Sequence, residues 1–160
     1  PKPLLKKNNL NELIKENINL VSKIDGTIKI RLINHTSKDV ITKFDNEQFN
    51  RLFFNLIKNS VESIQEKIKK DSKISKNIDI EIRQRREYIN INLFDTGIGF
   101  RDKKTKDLIK PYFTTKEKGT GLGLSIVDKI ISDHNGSIKF LNHKNGAKIQ
   151  IIIPIKKNVS

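Results

Sequence analysis

Two pairs of alternating apolar segments leave this chain few ways to fold. Ile78, Ile80 and Ile82 alternate with polar residues, and after the polar stretch 84–87 the residues Ile89, Ile91 and Leu93 do the same. The pattern recurs over 137–141 and 147–153, with Asn145-Gly146 between them as the turn. A period of two marks strands with one face in the core, and short polar breaks mark hairpins. Helical periodicity occupies much of the rest. Leu10, Leu13, Ile14, Ile18 and Val21 recur at helical spacing over 9–24, with Asn9 or Asn11 available as a cap. A long helix is expected from Asp45 to about Lys70, opening with the capping-box pattern Asp45-x-x-Gln48. Two short strands, over 27–34 and 39–44, separate these helices. A third helix is expected from near Gly121 to the Asn135-Gly136 stop. Paired antiparallel strands interleaved with helices indicate an α+β two-layer sandwich.

Length and composition bound the function. The 160 residues suffice for one domain with a real core. Only 35% are apolar, but these gather in the periodic segments, unlike in a disordered chain. There is no cysteine, which excludes disulfide frameworks and thiolate metal sites. The longest apolar run, 149–155, contains Gln150 and Pro154 and falls far short of the roughly 18 residues that suggest a membrane span. No charged-then-apolar leader is visible. Residues 1–8, opening Pro1-Lys2-Pro3, are expected to be a linker remnant from a preceding domain, and 156–160 a tail. The net charge of +14 admits a nucleic-acid or anionic-membrane surface, yet the lysines are dispersed and not gathered with aromatics on one element. The charge is read as a solvated surface whose field attracts polyanions. No nucleic acid is expected as a partner.

Three polar groups interrupt the apolar patterns. On the long helix, Phe49, Phe53, Leu56, Ile57, Ser60, Ile64 and Ile68 share one face, and Asn55, Asn59, Glu62 and Glu66 form a separate polar stripe. Asn competes with the backbone for hydrogen bonds, so two of them at i and i+4 in mid-helix need a reason. Amide oxygens suit Mg²⁺, which takes one or two protein oxygens and completes its shell with water and phosphate. A solvated face in an Asn-rich chain is the plain alternative. Next, Asp95-Thr96-Gly97-Ile98-Gly99-Phe100 places a carboxylate at a strand end before two glycines. A carboxylate accepts from an exocyclic amine such as that of adenine, and repels the carbonyl that guanine presents there. Gly97 and Gly99 permit close backbone approach or positive φ, although an Asp-x-Gly turn is common in itself.

The third group is Lys118-Gly119-Thr120-Gly121-Leu122-Gly123-Leu124-Ser125, glycines that precede or open a helix. Helix N-termini bind phosphate through free N–H groups and the helix dipole. The spacing is neither a dinucleotide fingerprint nor a Walker loop, and a glycine hinge is the plain alternative. Between the glycine clusters lies Pro111-Tyr112-Phe113-Thr114-Thr115-Lys116. Lys116 offers a point charge for a terminal phosphate, Thr114 and Thr115 offer hydroxyl donors, and Phe113 suits an apolar anchor for a lid. The aperiodic stretch 95–120 is long for a connection, which is usual of functional loops.

Taken in order, these segments resemble the catalytic, ATP-binding domain of bacterial sensor histidine kinases. Asn55-Leu-Ile-Lys-Asn59-Ser-Val-Glu-Ser looks like the N box, Asp95-Thr-Gly97-Ile-Gly99 like the G1 box, Pro111-Tyr-Phe113-Thr-Thr-Lys116 like the F box, and Gly119-Thr-Gly121-Leu-Gly123-Leu-Ser like the G2 box. The last two are closest in wording to nitrogen-regulation sensor kinases. The resemblance runs from about Asn9 to Ile155 and implies a catalytic domain over 9–155. The implied fold is the GHKL (Bergerat) two-layer α/β sandwich: a mixed, mostly antiparallel sheet, three helices and a mobile ATP lid at about 97–121. It also implies roles. Asn59 would bind Mg²⁺ with Asn55 beside it, and Asp95 would read the adenine amine, flanked by Gly97 and Gly99. Phe113, Thr114, Thr115 and Lys116 would close over ATP, with Lys116 nearest the γ-phosphate. Gly119, Gly121, Leu122, Gly123 and Leu124 would surround the phosphates. Asn55, Asn59 and Lys116 are the expected catalytic residues, and ATP and Mg²⁺ the expected cofactors.

Hydrolysing relatives in the wider group place a glutamate where Asn55 stands. A neutral amide cannot take a proton from water, which favours transfer to another acceptor over hydrolysis. The implied acceptor is a histidine on a separate dimerisation domain of a homodimeric parent, and a response regulator lies downstream. His35, His134 and His143 lack the acidic follower of the family's acceptor. His134 is expected to make a favourable dipole contact at a helix end, and His35 and His143 to be exposed. The implied location is the cytoplasmic part of a membrane-anchored parent. Alternatives are a hydrolytic ATPase, a regulatory or pseudokinase ATP-binding module, and a basic nucleic-acid binder; only the kinase reading uses all four segments.

Overall fold

The computed structural model describes residues 2–100 and 123–155. In chain order these form β1 (Lys6–Asn9), α1 (Leu10–Ser22), β2 (Lys29–Asn34), β3 (Ile41–Phe44), α2 (Asn46–Lys70), β4 (Asn77–Gln84), β5 (Tyr88–Asp95), α3 (Gly123–Asp133), β6 (Ser137–His143) and β7 (Gly146–Pro154). Five strands make one sheet in the order β2-β4-β5-β7-β6. β2 runs parallel to β4, and every other pair is antiparallel. The two alternating pairs are thus hairpins that meet at β5 and β7 in the centre of the sheet.

Alternation decides which face is buried. Ile78, Ile80 and Ile82 of β4, Ile89, Ile91 and Leu93 of β5, and Ile149, Ile151 and Ile153 of β7 all point into the core. The apolar stripe of α2 covers them with Phe49, Leu52, Phe53, Leu56, Ile57, Val61 and Ile64. α1 adds Leu10, Leu13, Ile14 and Val21, and α3 adds Val127, Ile130 and Ile131. Each such side chain contributes about 1.5–3 kcal/mol by leaving water. The result is the expected two-layer α+β sandwich, with three helices among the described residues and a mostly antiparallel mixed sheet.

Local chemistry sets the helix ends, with one departure from expectation. Asn9 caps α1 by accepting from Glu12 N at 3.0 Å. Asp45 caps α2 by accepting from Gln48 N at 3.0 Å. The reciprocal half of the capping box is not formed. The Asp45 N–H instead donates to His134 Nε2 at 3.1 Å, and Gln48 Oε1 is buried with no partner. A ring nitrogen that accepts carries no proton, so Nδ1 carries it and donates to Ile130 O at 2.8 Å. His134 is therefore a buried ring packed on Phe49, with centroids 4.5 Å apart, engaged at both nitrogens and in contact with a carbonyl of the last turn of α3, as expected of a residue at a helix end. α3 ends on Asn135 at φ 62°, with Gly136 N returning to Ile131 O.

Two further expectations shift. Lys6–Asn9, inside and beside the expected linker, is a strand paired with β3, and Leu4 N is fastened to Asp45 Oδ2 at 2.8 Å. The four residues carry no apolar alternation; pairing with β3 is what makes them extended. The hairpin turn between β6 and β7 is Lys144-Asn145, because Gly146 already pairs with His143. Gly146 belongs to β7, where a Cβ would strike the Asp95 carbonyl. Its glycine serves close approach of two strands, not a left-handed turn.

Candidate functional site

β5 ends by delivering Asp95 into the interior, where it is 6% exposed. The carboxylate is approached from three directions. Its Oδ1 accepts from Gly97 N at 2.9 Å and from Ala147 N at 3.3 Å, and the Ser60 hydroxyl of α2 lies close enough to favour its charged form. Burial pushes the carboxyl above its ordinary value, while the bond from Gly97 N, the Ser60 hydroxyl, the bond from Ala147 N and the charge of Lys67 act the other way. A buried acceptor with one oxygen tied to the backbone has a fixed direction for a further donor.

The turn after Asp95 is equally fixed. Thr96 N donates to Asn77 O, and the Thr96 hydroxyl donates to Ser75 O at 2.6 Å. Gly97 lies against Ser63, with no space for a side chain. Ile98 N donates to Ser63 Oγ at 2.9 Å, and Phe100 N donates to Asn142 Oδ1 at 2.8 Å. Gly99 has φ +73°, so here glycine's conformational freedom is required. The Phe100 ring meets Phe140 edge-on, with centroids 5.4 Å apart.

α2 supplies a second line of groups. Ser60, Ser63 and Lys67 form one polar stripe reaching the Asp95 turn and the β6–β7 hairpin, where Lys67 Nζ donates to Asn145 O at 2.8 Å. Asn59, next to Ser60, faces the start of α3: a Cβ on Gly123 would lie 3.9 Å from Asn59 Nδ2. Asn55, one turn earlier, is half-buried. The end of β5, the amide-bearing stretch of α2 and the first turn of α3 thus converge. Leu124, in that first turn, packs against the core. Phe113, Thr114, Thr115, Lys116, Gly119, Gly121 and Leu122, and most of the expected lid, lie outside the described residues.

Sequence reasoning missed Ser60, Ser63, Asn142, Gly146 and Ala147. Ser60 had a signal: it is a hydroxyl on an otherwise apolar stripe, and it is 2% exposed. Asn142 and Ala147 had none, because they act on a turn some forty to fifty residues away in sequence. The histidines have other partners than the Asp95 carboxylate. His134 is engaged at both ring nitrogens, His35 is exposed and pairs with Glu81 at 2.7 Å, and His143 is exposed and packs on Phe94. Among the described residues, no group of three or more His, Cys, Asp or Glu could hold a metal. Nor is any helix there long and apolar enough to cross a membrane.

Comparison with known proteins places these features in context. The family profile described as histidine kinase-, DNA gyrase B-, and HSP90-like ATPase matches residues 44–157. Nitrogen regulation protein NtrY of Azorhizobium caulinodans is 29% identical over 156 residues, covering 98% of this chain and 20% of NtrY. Sensor protein TdiS of Thauera aromatica is 32% identical over 152 residues, covering 92% of this chain and 27% of TdiS. The chain thus spans a quarter or so of the length of these curated relatives. Among solved structures, the catalytic domain of histidine kinase ThkA is similar with a TM-score of 0.80 and 28% identity, over 95% of this chain and 96% of that one.

Proposed function

The chain belongs to the histidine kinase-, DNA gyrase B- and HSP90-like ATPase family, and from that premise we propose that it binds Mg-ATP and donates the γ-phosphoryl group to a histidine on a separate dimerisation domain. The observation that carries this reading is the junction at Ser60. Its hydroxyl lies beside Asp95 and favours the charged carboxylate, and its neighbour Asn59 faces the opening turn of α3. One helix thereby spans the distance between a base-reading carboxylate and a phosphate-binding helix start. Relatives such as NtrY and TdiS are sensor or regulatory proteins several times the length of this chain, which supports a multidomain parent.

Each group has a defined task. Asp95, buried at the end of β5, accepts from the exocyclic amine of adenine. The amide oxygens of Asn59 and Asn55 suit a hard cation that arrives already bound to phosphate, since the described residues offer no carboxylate cage of their own. Bound Mg²⁺ supplies charge neutralisation for the moving phosphoryl group. α3 aims its N-terminus at the phosphates, and Lys116 adds a point charge. Asn55 has no basicity, so water is not activated and ATP is kept for transfer. Cytoplasmic placement, a homodimeric parent and a downstream response regulator complete the proposal.

Calorimetric titration with ATP and GTP, with and without Mg²⁺, tests the site. Asp95→Asn is expected to weaken ATP binding at least about tenfold, the scale of losing a charged hydrogen bond. It should also narrow the preference for ATP over GTP. Asn59→Ala is expected to remove most of the Mg²⁺ dependence. ATP affinity within a few-fold of the parent in Asp95→Asn would reject the purine assignment.

A further inference from the structure

The bonds that hold the segment from Asp95 to Phe100 come from two side chains given no role by the sequence resemblance, one on α2 and one on the β6–β7 hairpin. α2 contributes Ser63, whose Oγ accepts from Ile98 N at 2.9 Å. The β6–β7 hairpin contributes Asn142, whose Oδ1 accepts from Phe100 N at 2.8 Å. Gly97 and Gly99 are seated directly on these two side chains, since a Cβ on either would collide with Ser63 or Asn142. The two acceptors therefore fix alternate amides of one turn, on either side of the left-handed Gly99. That turn carries Gly97 N, which orients Asp95 Oδ1 at 2.9 Å. The same hairpin supplies Ala147 N to that oxygen, and Lys67 fastens α2 to the hairpin at Asn145.

We propose that Ser63 and Asn142 are positioning residues for base recognition: they clamp the 97–100 turn from opposite sides so that the Asp95 carboxylate keeps its free acceptor direction toward the purine. This rests on the reading of Asp95 given above. The clamp needs nothing from the nucleotide. It works through one part-buried and one exposed hydrogen bond, and an amide that loses its fixed acceptor to water lets the turn rotate. Because the two residues act through Asp95, their effect is on discrimination between bases and not on the grip on phosphate.

The test is titration of the chain with ATP and GTP for Ser63→Ala, Asn142→Leu, Asn142→Asp and Asp95→Asn, with thermal midpoints alongside. Ser63→Ala and Asn142→Leu are each expected to weaken ATP about three- to tenfold, the size of one lost hydrogen bond, while GTP changes less than about twofold. Asn142→Asp keeps the Oδ1 acceptor and should retain the ATP preference. Equal weakening of ATP and GTP, or ATP affinity within about twofold of the parent in both Ser63→Ala and Asn142→Leu, would overturn the clamp. If one variant fails to fold, the other carries the decision. Asp95→Asn separates the two levels: if it is inert, the purine reading itself falls, whereas a strong Asp95→Asn effect beside inert Ser63 and Asn142 variants removes the clamp alone.

Discussion

Asp95 is a residue placed at the expense of stability. Burial raises its carboxyl above the ordinary range, and the bond from Gly97 N, the Ser60 hydroxyl and the bond from Ala147 N offset that only in part. For an acid whose folded value lies above its unfolded one, the folded state holds the proton more tightly. The associated stability is present below the unfolded value and is lost as pH rises through the folded one. Asp95→Asn keeps the oxygen that accepts from Gly97 and Ala147 and carries no charge. The variant is therefore expected to be at least as thermally stable as the parent near neutral pH, and to lose that advantage as pH falls. Melting both proteins across a pH series checks this; a parent more stable than the variant at neutral pH would contradict it. Asp45 behaves in the opposite sense. Desolvation raises its carboxyl, but the N–H groups of Gln48, Leu4 and Glu47 and the nearby His134 together hold it below the ordinary value. Its contribution is present above the unfolded value and is lost on acidification.

At the level of elements, α2 is the piece on which both the core and the site depend. Its first turn is capped by Asp45, which also fastens Leu4, and the Asp45 N–H is taken by His134 at the end of α3. Asp45→Ala is expected to cost about 1–2 kcal/mol through the lost cap, with further loosening of β1. Chemical denaturation measures the first, and hydrogen exchange at Leu4 and in β1 the second. His134→Phe preserves contact with Phe49 but leaves the Asp45 N–H unpaired, at about 1–3 kcal/mol. The strands β4, β5 and β7 were readable in the sequence because each buries every second residue. β1 was not, because Lys6-Lys7-Asn8-Asn9 becomes extended only by pairing with Ile41–Phe44. On α2 the stripe of Asn55 and Asn59 was legible from spacing. The stripe of Ser60, Ser63 and Lys67 was legible only at Ser60, a hydroxyl on an apolar face, because the surroundings of the three, Asp95, Ile98 and Asn145, lie in elements far along the chain. The second partner of His134 is hidden for the same reason: a helix-end histidine gives no sign in sequence of an N–H donor 89 residues away.

For the whole molecule, charge and the absence of an acceptor dominate. With a net charge of +14, association with a polyanionic nucleotide should be fast at low salt and slow markedly as ionic strength rises. Stopped-flow measurements with a fluorescent ATP analogue read this directly, and a salt-independent rate would count against it. The chain alone should incorporate negligible γ-phosphate. Both ring nitrogens of His134 are engaged, His35 pairs with Glu81, and His143 packs on Phe94. Adding a dimerisation domain that carries the acceptor histidine should restore transfer; sustained labelling of the isolated chain would contradict the division of labour. The contact between Gly146 and the Asp95 carbonyl extends beyond catalysis. In a saturation survey of fitness, a glycine beside an exposed surface loop would be forecast as permissive. Here it should score as intolerant as the buried aspartate beneath it, so a ranking by depth or by proximity to nucleotide would misplace it.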